Sequence, residues 1–364
     1  MNKSGSISIL HVIFLSMTMI GLKNHVTIIP SLLTGAGRDA WISILLSAFA
    51  ILPWIFLLLY IHTKSNQQPI IDWLKMKVGK VVTNIFLYMT VIFLLILAAF
   101  TMAETLQWII ATFLPTTPML PMLIIFTVLC IHLVTTNIQT IAMVNVLVLF
   151  WVVIFGFFIA FTNLRVKNYE LLQPFLEHGI QPILKTAVYP ASGFVELLLF
   201  LFIQHKVKDR IRWYHFVVML FILMGLTMGP TIGAITEFGP IEAAKLRYPA
   251  YEEWGIGTIG RYIDHFDFLS IYQWLTGAFI RVGLILFIVA DLLKMTGKKK
   301  RIWKILAPVF FLICLPLALM SDRVFLMIKG DPLLIITFSF LFLISLFLVI
   351  VAFFSKKSVE KVGT

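Results

Sequence analysis

Four ionisable side chains stand within stretches that are otherwise apolar: Lys23, Glu104, Glu196 and Arg281. A charged side chain near the middle of a bilayer costs roughly 2.5–3.5 kcal/mol on insertion scales, so such a group must be paired, neutralised or turned to water. Two acids and an arginine point to a buried polar network. In one reading it is a ligand or coupling site, with Arg281 filling space that a cation would otherwise take. In the other it is a structural ion pair that fixes helix packing. Lys23 has three possible roles: meeting a carboxylate ligand, pairing with Glu104 or Glu196, or snorkelling to an interface. Helical spacing places Gln273 and Gly277 on the face of Arg281, and Thr101 and Trp108 on that of Glu104.

The backbone near these groups is irregular. Tyr189-Pro-Ala-Ser-Gly193 precedes Glu196 by less than a turn. Pro190 removes a backbone donor, and Ser192 and Gly193 tolerate a non-helical path, so this stretch reads as a membrane helix interrupted inside the bilayer. A helix restarting at Gly193 would offer free N–H groups and a positive dipole end to an anionic or polar ligand. The plainer reading is a proline kink whose freed groups are satisfied by neighbouring helices. A second irregularity lies at Gly21–Asn24, with Lys23 and His25 beside it. Tyr189 and Trp274 are candidates for a pocket wall, although aromatics in membrane helices more often pack or anchor. The candidate ligand-binding set is therefore Gly21, Lys23, Glu104, Tyr189, Ser192, Gly193, Glu196, Gln273, Gly277 and Arg281.

Other chemistry has little support. His132 and His178 have no second ligand at metal spacing, so no metal site is expected. No nucleophile–base pair, Walker loop or dinucleotide glycine motif stands in a suitable context, which points away from an enzyme and from a bound cofactor. Cys130 and Cys314 both fall in apolar spans, and a disulfide is not expected.

The elements that must position these residues are membrane helices. Of 364 residues, 60% are hydrophobic and 13% charged, and the mean hydropathy is +0.99. Soluble domains carry roughly 45–50% apolar and about 25% charged residues. Ten apolar spans are expected, at about 7–33, 40–61, 81–114, 122–134, 138–161, 185–203, 213–235, 268–293, 305–320 and 333–354. The segment 62–79, with Ile71, Trp73 and Leu74 between lysines, reads as a short interfacial helix. Met1–Ile20 has a lysine and then an apolar run, but no small-residue cleavage site, and reads as part of the first span.

The net charge of +12 would suggest nucleic acid in a soluble protein. Here the basic residues cluster in the loops after spans two, six and eight and in the C-terminal tail. All of these fall on one side of a ten-span protein. The positive-inside rule then puts both termini on the cytoplasmic side and gives the lipid bilayer, not nucleic acid, as the charge partner. The single membrane domain, 1–364, divides into halves 1–161 and 162–364. Five spans per half make the halves opposite in topology, and each half opens on an irregular helix. The expected fold is all-α and integral to the membrane, with about ten transmembrane helices in a five-plus-five inverted repeat and broken first and sixth helices.

The run Glu242-Ala-Ala-Lys-Leu-Arg-Tyr-Pro-Ala-Tyr-Glu-Glu-Trp254, then Gly260-Arg-Tyr-Ile263 and Phe266–Arg281, resembles the B subunit of GerA-type spore germinant receptors, the endospore germination permeases. That family is similar in turn to the amino acid–polyamine–organocation transporters. The resemblance implies a sensor of a small germinant (amino acid, sugar or nucleoside) in the inner membrane of the endospore, acting beside A and C subunits. It also implies a ligand site among the first, third, sixth and eighth helices, where Gly21, Glu104, the Tyr189–Gly193 break and the Gln273–Arg281 face match. Relatives with an amino-acid-transporter pattern often carry two glycines at the first break, whereas this chain has Gly21-Leu-Lys-Asn24. A germinant receptor subunit is the leading expectation. The alternative is a secondary transporter of amino acids or similar solutes, cation- or proton-coupled.

Overall fold

In a computed structural model, residues 5–260, 263 and 266–354 are described. The C-terminal basic tail, together with Arg261 and Tyr262 of the resemblance block and Asp264 and His265 next to it, lies outside them. The described residues are helical almost throughout. Among the described residues, nine helical stretches are long and apolar enough to cross a membrane, and Met119–Val134 is a shorter apolar tenth.

Helix α1 (Ile9–Leu22) begins at Ser8, whose hydroxyl caps the amide of His11. A π turn at Lys23–Thr27 separates it from α2 (Ile29–Ala36). The chain reverses at Gly37, whose positive φ of 56° suits glycine, and α3 (Ala40–Ser65) returns. Helix α4 (Ile70–Thr112) carries a non-helical residue, Gly79, at φ 79°. The piece before Gly79 is the short helix expected from Ile71, Trp73 and Leu74. Helices α5 (Met119–Val134) and α6 (Ile138–Thr162) follow, the second capped by the Asn137 side chain.

The next span is in pieces: α7 (Ile180–Thr186), α8 (Val188–Phe194), a 3-10 turn at Val195–Leu198, and α9 (Leu199–Phe202). The main change of helix type therefore falls at Glu196, not at Pro190–Gly193. Pro190 sits in the first turn of α8, where an α-helix has no intrahelical use for the missing N–H. Helix α10 (Trp213–Phe238) contains Pro230 and ends at Gly239. Short helices α11 (Pro240–Ala243) and α12 (Pro249–Gly255) lead to α13 (Asp267–Leu292). The last elements are α14 (Lys299–Arg301), α15 (Ala307–Leu319), α16 (Asp322–Lys329) and α17 (Asp331–Phe354).

Helix α13 is the central post. It packs against α1, α4, α5 and α6, and every residue from Ile280 to Ala290 is buried. Large apolar side chains instead cover the outer faces, for example Ile85, Met89 and Ile92 on α4 and Phe150, Phe157 and Phe161 on α6. Charge inside and hydrocarbon outside is the arrangement a bilayer demands. This is a multi-pass membrane protein. Cys130 and Cys314 are both free and buried.

Candidate functional site

The two irregular helices meet. At Lys23 the α1 backbone loosens into a π turn, and the ammonium reaches the segment between α8 and α9. Lys23 Nζ donates to the Ser192 carbonyl at 3.0 Å and to Glu196 Oε1 at 3.1 Å. The contact is close because Gly193 has no side chain. A Cβ there would overlap the Asn24 side-chain amide, which in turn donates to Thr227 Oγ1 at 3.0 Å.

Arg281 approaches Glu196 from α13. Its two terminal nitrogens make parallel bonds, Nη1 to Oε2 at 2.6 Å and Nη2 to Oε1 at 2.9 Å. Nε donates to Thr101 Oγ1 at 3.1 Å, and Nη1 also donates to the Met19 carbonyl at 2.5 Å. Glu196 is wholly enclosed and Arg281 nearly so. A buried charge is tolerated when it is both paired and hydrogen-bonded, and this triad meets both conditions. Of the roles open to Lys23, pairing with Glu196 is the one observed.

Beside the triad lies a small cavity of about 30 Å³, bordered by Lys23, Thr27, Thr101, Glu104, Trp274 and Arg281. That is room for a water molecule, not for an amino acid. Two of its lining residues, Glu104 and Trp274, lead to further polar and aromatic contacts. Glu104 accepts a hydrogen bond from Thr27 Oγ1 at 3.1 Å and is ion-paired with Lys329 at the end of α16. The Lys329 ammonium lies 4.7 Å from the centre of the Tyr248 ring. Tyr248 stands edge-on to Trp274, which stacks on Trp108 with centroids 4.0 Å apart.

A larger cavity of about 510 Å³ lies on the other face of α1, against α6, α10, α12 and α13. Leu22 and Trp274 border both spaces. Of the ten candidates, Lys23, Glu104 and Arg281 line the small cavity, and Glu196 stands directly behind Lys23 and Arg281. Gly21, Gln273 and Gly277 line the large one instead. Gln273 donates to the Val152 carbonyl of α6 at 2.8 Å. Ser192 contributes its carbonyl and Gly193 its missing side chain. Tyr189 is buried near Gly35 of α2 and stands apart from both cavities.

A family model described as "Spore germination protein" matches residues 6–323. The chain belongs to the spore germination permease family. It is similar to Spore germination protein XB of Bacillus anthracis, with 40% identity over 339 residues, 92% of this chain and 94% of that protein. The family is permease-like and non-enzymatic, in line with the absence of catalytic motifs from the sequence.

Ion pairs and backbone bonds also join the elements at the end where α1 begins. Asp291 of α13 binds His205 at 3.1 Å and Lys206 at 2.8 Å. Ile7 exchanges backbone bonds with Lys206 and Lys208, both 2.9 Å. His62 of α3 bonds to Gln204 at 2.6 Å. Ion pairs thus join helices on both sides of the triad. Sequence reasoning missed Lys329 and Tyr248, because both fall in stretches that read as loops. For Lys329 the available signal was the strongly amphipathic run Asp322–Lys329.

Proposed function

We propose that this permease is the germinant-sensing membrane subunit of a spore germinant receptor. A small polar germinant (an amino acid, sugar or nucleoside) enters the space roofed by Glu104, Lys329 and Tyr248. It settles against Lys23, Thr101 and Arg281, and the resulting rearrangement passes to partner A and C subunits. In this reading the protein sits in the inner membrane of the endospore with both termini on the cytoplasmic (core) side, and its halves form a five-plus-five inverted pair.

The observation that carries the reading is the contact of the two irregular helices through Lys23, beside a polar cavity too small for a nutrient, whose lining Glu104 is held by an ion pair to Lys329. A ligand shifts such a protein only by binding the open form better than the closed one. The test is germination of spores that carry this receptor alone, screened with amino acids, sugars and nucleosides, in wild-type and Glu104→Gln forms with receptor levels matched. A germinant response unchanged by Glu104→Gln and by Thr101→Val would place the germinant elsewhere.

Ion pairs on both sides of the triad favour one further reading, a secondary transporter of amino acids or similar solutes working by alternating access. Solute flux into proteoliposomes under a proton or cation gradient separates the two, since a pure sensor gives none.

A further inference from the structure

The large cavity is the second feature of the molecule that calls for an occupant. Its volume, about 510 Å³, is within the roughly 300–1,000 Å³ typical of small-molecule sites. Pro230 of α10 borders it. Proline has no N–H, so the Leu226 carbonyl loses its partner within the helix. His25 Nδ1 sits 3.3 Å from that carbonyl, where it donates. One turn later, the bare backbone at Gly233 lets the Glu253 carboxyl of α12 approach so closely that a Cβ would lie 2.7 Å from both of its oxygens.

Glu253 is buried, at 8% exposure, and its Oε1 has no hydrogen-bond partner among the described residues. The nearby base is already engaged: Lys167 pairs with Glu237 at 3.4 Å, and Asn163 donates to Glu237 at 2.9 Å. Among the described residues, two acids therefore share one lysine, leaving one carboxyl without a counter-charge of its own. Burial and the Glu237 carboxylate both push the Glu253 carboxyl well above the usual range. Lys167, His25, Ser270 and Gln273 also border the cavity, and the rest of the wall is largely apolar or aromatic, with Trp254, Trp274 and Tyr251 among its residues. Gly225 and Gly229 face open space.

We propose that this cavity binds a small amphipathic amine, its ammonium on Glu253 Oε1 and its apolar or aromatic body along Trp254, Trp274 and α10. The ammonium replaces the proton that the lone carboxyl otherwise holds, and that proton leaves to solvent. Aromatic faces add to the attraction for a cation. The site is independent of the germinant site proposed above, because the Leu22–Trp274 wall divides the two.

The test uses full-length protein in lipid nanodiscs and 2-phenylethylamine as the probe, with phenylacetate and ethylbenzene for comparison, read by calorimetry and thermal shift. Saturable binding of the amine at one per chain is expected, with neither comparison compound competing. Glu253→Gln should weaken it about tenfold or more, the loss of one charge-assisted contact. Gly225→Phe, which fills the cavity from α10, should abolish it, and Thr101→Val on the far side of the wall should leave it intact. Equal binding of ethylbenzene would mark a slot for lipid chains and overturn the proposal. So would amine binding that survives Gly225→Phe in a protein melting normally, or that is lost in Thr101→Val alone.

Discussion

Arg281 and Glu196 face each other through two parallel N–H···O bonds of 2.6 and 2.9 Å, enclosed between α13 and the 3-10 turn that splits the sixth span. The fork of a guanidinium fits a carboxylate in this way and an ammonium does not. The pair pins α13 to the least regular span, and both are largely enclosed. Any motion at the triad must therefore reorganise a charge-assisted bidentate bond.

Removing Glu196 should destabilise far more than removing Arg281. Glu196→Gln leaves Arg281 and Lys23 as two buried cations without their carboxylate, and breaking a buried pair in this way costs about 3–5 kcal/mol. Arg281→Gln leaves Glu196 paired with Lys23 and should melt closer to wild type, and Arg281→Gln with Glu196→Gln, which leaves one such cation instead of two, should melt above Glu196→Gln alone. Thermal melting of the two singles and the double in nanodiscs checks this; simple additivity would count against coupling. Arg281→Lys should melt below wild type, because one nitrogen cannot reproduce the fork.

The Gly193–Asn24 contact predicts a size rescue. Gly193→Ala drives a methyl into the Asn24 amide, and overpacking of this kind costs about 1–3 kcal/mol. Asn24→Ala removes the obstacle along with the bond to Thr227. The double variant should therefore melt above Gly193→Ala alone, while Asn24→Ala alone should melt below wild type. A double variant that is the least stable of the three would contradict the contact.

The spans, and four of the buried, ion-paired residues of the candidate site, were legible in the sequence. Apolar runs of sufficient length mark a membrane helix by themselves, and even α5, with 16 residues, stood out. Lys23, Glu104, Glu196 and Arg281 announced themselves as charges in hydrocarbon. Their partners did not. Lys329 and Glu253 lie in segments that hydropathy reads as loops, and only folding shows that these segments cover the bundle. The grouping of Gln273 with Arg281 failed for a geometric reason. At about 100° per residue, eight residues leave two side chains about 80° apart, enough for Gln273 to face α6 while Arg281 faces α1. The exact break in the sixth span was also hidden, because a proline in a first turn looks the same in sequence as one that interrupts a helix.

The Glu104–Lys329 pair predicts controlled access to the small cavity. Lys329→Met removes the ammonium that pairs with Glu104 and lies against Tyr248. With Thr27→Cys as a reporter in the cavity wall, a membrane-impermeant thiol reagent should react about tenfold faster in the Lys329→Met background, the ratio given by about 1.4 kcal/mol of lost closure. Both native cysteines are buried, which keeps the background low. Equal labelling rates would show that the aromatic contacts of Tyr248, Trp274 and Trp108 close the site without the ion pair.

Glu253 gives the permease a pH dependence with a definite sign. Burial is the largest cause of its raised pKa and Glu237 the next; Lys167 and the Ala234 amide oppose them without reversing the shift. An acid whose folded pKa lies above its unfolded value of 4.5 binds protons more tightly in the folded state. Its contribution is therefore complete below about pH 4.5 and is lost as pH rises through the folded pKa. Within that window the wild type should melt higher at the acid end than Glu253→Gln shows for the same change, since the amide cannot titrate. Glu252 also titrates high, through burial and Asp267, so the difference between the two proteins, not the slope of either, isolates Glu253. Identical slopes would mean that Glu253 keeps its charge in the folded protein, with a counter-ion supplied from the cavity it borders.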